Sequence, residues 1–99
     1  MTKEEKKQLL DTITTKLSNF SEISKIIVFG SFVKSTSPND VDIAIFQNSQ
    51  DDFLTLSMKY RKVLRDIAKK IPLDILPIKQ NSNSSFLSEI TNGIVIYER

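Results

Sequence analysis

The sequence predicts one small domain of the α/β (α+β) class, a mixed sheet of about four strands packed with helices in the order α-β-(α)-β-α-β-α-β. Three observations predict it. Apolar residues recur at helical spacing in two stretches, from Leu9 to Phe20 and from Phe53 to Ala68. Short runs rich in β-branched residues lie between and after them, at 26–29, 41–46, 73–78 and 94–97. The chain has 99 residues with no internal repeat and no linker long enough to divide it, so a single domain, 1–99, is expected.

Each element has a local cause. Thr2-Lys-Glu-Glu5 has the form of a capping box, and Leu9, Leu10, Ile13, Leu17 and Phe20 follow at helical spacing, which predicts a helix over about 3–19. Ile26-Ile27-Val28-Phe29 is a continuous apolar run and reads as a buried strand ended by Gly30. The first residues of 31–39 can form a short helix, and Ser37-Pro38-Asn39 reads as a turn. Val41, Ile43 and Ile45 alternate with Asp42, Ala44 and Phe46, as in a strand whose one face carries Asp40 and Asp42. Ser49-Gln-Asp-Asp52 starts a helix over about 50–70 that carries the apolar stripe Phe53, Leu56, Tyr60, Val63, Leu64, Ile67 and Ala68. Pro72 stops it. Leu73–Ile78 is a third strand, and Pro77 suits an edge position. A polar loop over 80–85, a short helix over 86–91 stopped by Asn92-Gly93, and a last strand over 94–97 complete the chain.

Composition narrows the chemistry. The net charge of +2 is too small to argue for nucleic acid or membrane by itself. There is no cysteine, so disulfides and thiolate metal sites are excluded. There is no histidine, which removes the commonest general base and zinc sites of the histidine type. Any metal must be held by oxygen ligands, which favours magnesium or manganese. The polar N-terminus is unlike a signal peptide, and no apolar run approaches ~20 residues, so no membrane association and a cytoplasmic location are expected.

The chemistry concentrates in residues 25–46. A strand runs into the Gly30-Ser31 turn, and a short polar connection leads to a strand that opens Asp40-Val41-Asp42. Two carboxylates at i and i+2 on a strand share a face, and like charges side by side are unfavourable unless a cation sits between them. The turn offers N–H groups and a hydroxyl to an anion. Asp74 lies between Leu73 and Ile75, where a charge is expensive to bury without a partner. If its strand lies beside 41–46, Asp74 joins Asp40 and Asp42, and three carboxylates can hold two divalent ions. Such ions beside a phosphate cradle suggest nucleotide chemistry.

Gly30-Ser31, then Asp40-Val41-Asp42 on a strand, then Asp74 on a later strand, resembles the polymerase-β-type nucleotidyltransferase superfamily. Within it, the size and layout resemble the minimal nucleotidyltransferases (MNT proteins) of MNT/HEPN toxin–antitoxin pairs. The resemblance spans nearly the whole chain, including the ending Phe86–Arg99. It implies a nucleotidyltransferase domain that transfers a nucleoside monophosphate to a hydroxyl, with ATP the expected donor and Mg2+ (or Mn2+) as metal. It also implies a HEPN-domain partner on which the chain acts as antitoxin. Carried over by residue, Asp40, Asp42 and Asp74 are the catalytic and metal-binding carboxylates, and Gly30 and Ser31 hold the triphosphate. Lys34 either contacts a phosphate or stays a solvated loop lysine; both readings stay open.

The chain departs from the family at Val33-Lys34-Ser35, where Ala-Arg-Gly is usual, and the gap from Ser31 to Asp40 looks about two residues short of the family's. The departure motivates an alternative, a non-catalytic antitoxin that neutralises a partner by direct contact. Lys59, Arg61, Lys62, Arg65, Lys69 and Lys70 read first as a solvated basic face, and second as a dock for RNA or an acidic partner. Tyr60 falls on the apolar stripe and reads as core, Glu22 and Glu89 read as surface residues, and Tyr97 is undecided between packing and a homo-oligomer contact.

Overall fold

A computed structural model describes residues 1–79, 90 and 92–99. Its elements are α1 (Lys3–Leu17), β1 (Ile23–Phe29), α2 (Ser31–Lys34), β2 (Val41–Gln47), α3 (Phe53–Val63), α4 (Arg65–Ala68), β3 (Leu73–Lys79) and β4 (Ile94–Glu98). The expected loop over 80–85 lies outside the described residues, as does the helix over 86–91 apart from Ile90.

The capping box forms as the sequence predicts. The Glu5 N–H donates to Thr2 Oγ1 at 3.1 Å and the Thr2 N–H donates to Glu5 Oε1 at 3.0 Å. The helix ends at Leu17, two residues before the expected end, and the chain turns so that Phe20 meets Tyr60 edge-on, ring centroids 5.4 Å apart. Asp52 caps α3 by accepting from the Thr55 N–H at 2.8 Å. The expected single helix over 50–70 is broken at Leu64, whose φ of −100° and ψ of 11° close α3 and open α4.

The four strands form one sheet in the order β3-β2-β1-β4. β1 is antiparallel to β2 and to β4, whereas β2 and β3 are parallel. A parallel pair needs a crossover, and α3 and α4 supply it. β3 is an edge strand, where the N–H that Pro77 lacks is tolerated.

The sheet buries both faces unequally. Ile26, Val28, Val41, Ile43, Ile45, Leu73 and Ile75 pack on one side with Ile13 and Leu17 of α1, and with Leu56, Tyr60, Leu64 and Ile67 of the crossover. Ile27, Ala44 and Ile78 point to the other side, where Ile90 covers them. The continuous apolar run of β1 is explained by this two-sided burial. Two residues of the expected α3 stripe fall outside the core. Phe53 is 57% exposed at the first turn, and Ala68 is exposed at the end of α4 because the break at Leu64 turns the stripe. Glu22, expected on the surface, is half-buried; it pairs with Lys59 at 3.0 Å and accepts from the Tyr60 hydroxyl at 3.1 Å.

Candidate functional site

The register places Asp42 of β2 opposite Asp74 of β3 and opposite Phe29 of β1. Both aspartates leave the sheet on the face away from α1 and α3, at the end where β1 gives way to Gly30. Asp40 lies just before β2, and one carboxylate oxygen each from Asp40, Asp42 and Asp74 lie within 4.8 Å of one another. Asp40 and Asp42 are half-buried and Asp74 is exposed. Among the described residues no cation forms an ion pair with any of the three.

Gly30 makes this arrangement possible. Its φ of 77° is a left-handed conformation that residues with a Cβ rarely adopt. A Cβ there would also overlap the Asp42 carboxylate. Glycine therefore lets the chain leave β1 across the carboxylate and enter α2 at Ser31. The Ser31 hydroxyl donates to Asp40 Oδ1 at 3.2 Å, so one end of the turn is tied to the acidic cluster. Lys6 of α1 holds the other end: its ammonium donates to the carbonyls of Phe32 at 2.8 Å and Ser35 at 2.5 Å, and lies 5.2 Å from the Phe32 ring centroid.

A cleft of about 320 Å³ opens beside the cluster, lined by Gly30, Lys34, Asp42 and Asn92 with Phe29 and Val33. Thus Lys34 shares a cavity with Asp42. Asn92, expected only to stop a helix, also lines it; an Asn-Gly pair is so common in turns that its sequence gave no signal of this position.

Crowding of like charge has a titration consequence. Burial, the charge of Asp40, and a hydrogen bond and charge shared with Asp74 push the Asp42 carboxyl up to about 6. A hard, all-oxygen donor set whose negative charge no side chain among the described residues neutralises fits a divalent cation of the magnesium or manganese type.

Residues 11–99 match the family profile described as Polymerase beta, Nucleotidyltransferase. The chain belongs to this nucleotidyltransferase family. Solved structures share its fold. A chain of the complex between tri-AMPylated Shewanella oneidensis HEPN toxin and MNT antitoxin superposes with a TM-score of 0.70 at 14% identity, over 95% of this chain and 73% of that one. A chain of the MntA-HepT toxin–antitoxin complex gives 0.59 at 19% identity, over 94% and 73%. A toxin–antitoxin structure with AMP-PNP gives 0.62 at 21%, over 91% and 73%. No curated protein matches in sequence.

Within this nucleotidyltransferase domain the departure at Ser35 has a simple structural reading. Ser35 ends α2 with φ −101° and ψ 146°, extended backbone open to any residue. Serine in place of the usual glycine is accommodated without strain. No helix among the described residues is long and apolar enough to cross a membrane.

Proposed function

We propose that this domain is a metal-dependent nucleotidyltransferase that moves AMP from ATP to a hydroxyl on a HEPN-type partner, and so acts as that partner's antitoxin. The observation that carries the reading is the Asp42–Asp74 register, with Asp40 alongside, next to the Gly30 turn. Asp40, Asp42 and Asp74 would hold Mg2+ or Mn2+. When bound, such ions lower the pKa of an attacking hydroxyl and neutralise a leaving pyrophosphate.

The chain's own groups have separable tasks. Lys34 lines the cleft beside Asp42, Ser31 is tied to Asp40 at the start of α2, and both would orient the triphosphate. The acceptor oxygen bonds to the α-phosphorus, the bond to the β-phosphate oxygen breaks, and pyrophosphate leaves. Asp74, exposed on the edge strand, is accessible to an acceptor on another protein and would take the hydroxyl proton. Positioning and charge neutralisation supply most of such catalysis. The MNT–HEPN neighbour with a tri-AMPylated toxin supports the partner, and the toxin–antitoxin neighbour with AMP-PNP supports the donor.

Incubation with α-labelled ATP, Mg2+ and a candidate HEPN protein tests the reading. Label should pass to the HEPN protein and disappear with Asp42→Ala. Tight partner binding without label would instead favour the non-catalytic antitoxin.

A further inference from the structure

Six large apolar residues are exposed among the described residues, and three of them, Phe53, Leu54 and Met58, fall on α3. Leu54 and Met58 are 67% and 63% exposed and, with Arg61, follow helical spacing along one side of α3, and Arg65 opens α4 after the break. Beside them a groove of about 640 Å³ runs between α3–α4 and the edge strand β3, twice the volume of the cleft beside Asp42. Met58, Ala68, Leu73 and Ile75 give it apolar walls, and Arg61, Lys62 and Arg65 line it with charge. Lys59 is committed to Glu22, but Arg61, Lys62 and Arg65 have no acidic partner among the described residues.

We infer that this groove docks an acidic amphipathic helix of the protein that carries the acceptor hydroxyl. Unpaired cations around an apolar cavity complement apolar side chains flanked by carboxylates. The same lining disfavours single-stranded nucleic acid, which binds by stacking on aromatic rings, because no aromatic residue among the described residues lines the groove. The location suits delivery of an acceptor. Leu73 and Ile75 wall the groove on one face of β3, while Asp74 between them points to the other. A helix seated there lies along the outer edge of the strand that carries Asp74. The identity of the occupant rests on the partner-modifying reading above; the groove's chemistry does not.

The probe is a fluorescent amphipathic peptide of about four turns with leucines on one face and glutamates on the flanks, read by anisotropy. A lysine-for-glutamate version and a twelve-base oligouridylate serve as controls. The acidic peptide should bind and weaken with salt. Affinity should fall about tenfold or more with Arg61→Glu/Arg65→Glu and with Ala68→Trp, which fills the groove without changing charge. It should persist with Lys3→Glu/Lys7→Glu, an equal charge change on α1. Equal binding of the lysine peptide, equal loss in all three variants, or tighter binding of the oligouridylate would overturn the proposal. The two readings fail separately. Peptide binding without nucleotide transfer would leave the dock and remove the enzyme, and transfer by a protein that ignores the peptide would do the reverse.

Discussion

Asp42 and Asp74 face each other across the parallel β2–β3 pair, two carboxylates at the same register position on one face of the sheet. Like charges directly opposite one another destabilise a sheet, so folding holds this pair against its own electrostatics. Burial first, then the charge of Asp40, and last the hydrogen bond and charge shared with Asp74 push the Asp42 carboxyl up to about 6.

The conflict predicts how stability follows pH. The Asp42 carboxyl is raised from 3.8 to about 6, so the folded metal-free domain binds its proton more tightly than the unfolded chain does. The contribution is fully present below pH 3.8 and is lost as pH rises through about 6. Asp42→Asn should remove this decline and raise the melting temperature at pH 7 relative to the parent. Thermal melts of both proteins from pH 4 to 8 without divalent ions check it. Protons and metal compete for the same carboxylate, so Mn2+ affinity should fall steeply below about pH 6.

Gly30 should tolerate no side chain. Gly30→Ala places a Cβ at φ 77° and against the Asp42 carboxylate. A loss of about 1–3 kcal/mol is expected from the backbone conformation. Displacement of Asp42 should weaken Mn2+ binding as well. Urea titration together with a metal titration separates the two effects; unchanged metal affinity in a folded variant would show that Asp42 does not depend on the glycine.

The strands, the first helix and the three aspartates were legible because each leaves a short-range mark: a capping box, a β-branched run, an Asp-x-Asp, a charge inside an apolar strand. Asp74 was legible only on the condition that its strand lies beside β2, and the parallel register supplies that neighbour. What was not legible depends on contacts distant in sequence. The break at Leu64 interrupts an unbroken apolar stripe with neither Gly nor Pro to announce it. Glu22 looked like a surface residue because its partners, Lys59 and Tyr60, lie on another element. Lys6 is one of several lysines in α1, and its sequence context does not distinguish the one that reaches the turn after Gly30.

Lys6 should matter for the site without touching it. Its ammonium satisfies two carbonyls of the Phe32–Ser35 segment, which carries Lys34. Removing a charged donor costs about 1.5–3 kcal/mol per bond when the acceptor is buried, and less here because the site is only half-buried. Lys6→Met keeps the stem over Phe32 and removes the donor. Amide exchange in 31–35 should quicken more than in β1 or β2, and triphosphate affinity should drop while the melting temperature falls little. Uniformly faster exchange across the sheet would mean that Lys6 supports the whole fold rather than the turn.

The Glu22 cluster offers a test of which partner matters more. The carboxylate, with a side chain only 17% exposed, takes a hydrogen bond from Tyr60 and an ion pair from Lys59, whose ammonium also lies 4.7 Å from the Phe20 ring centroid. Tyr60→Phe removes one hydroxyl from a fully buried ring and leaves the ion pair, so a loss of about 1 kcal/mol is expected. Lys59→Met leaves a largely buried carboxylate without its cation and also removes the cation–ring contact, so its cost should be larger. Glu22→Gln in the Lys59→Met background should recover part of that loss, because the uncompensated charge is gone. Urea unfolding of the four proteins at neutral pH reads the order directly. If Lys59→Met costs no more than Tyr60→Phe, solvent already screens Glu22 and the cluster acts through packing of Phe20 against Tyr60 alone.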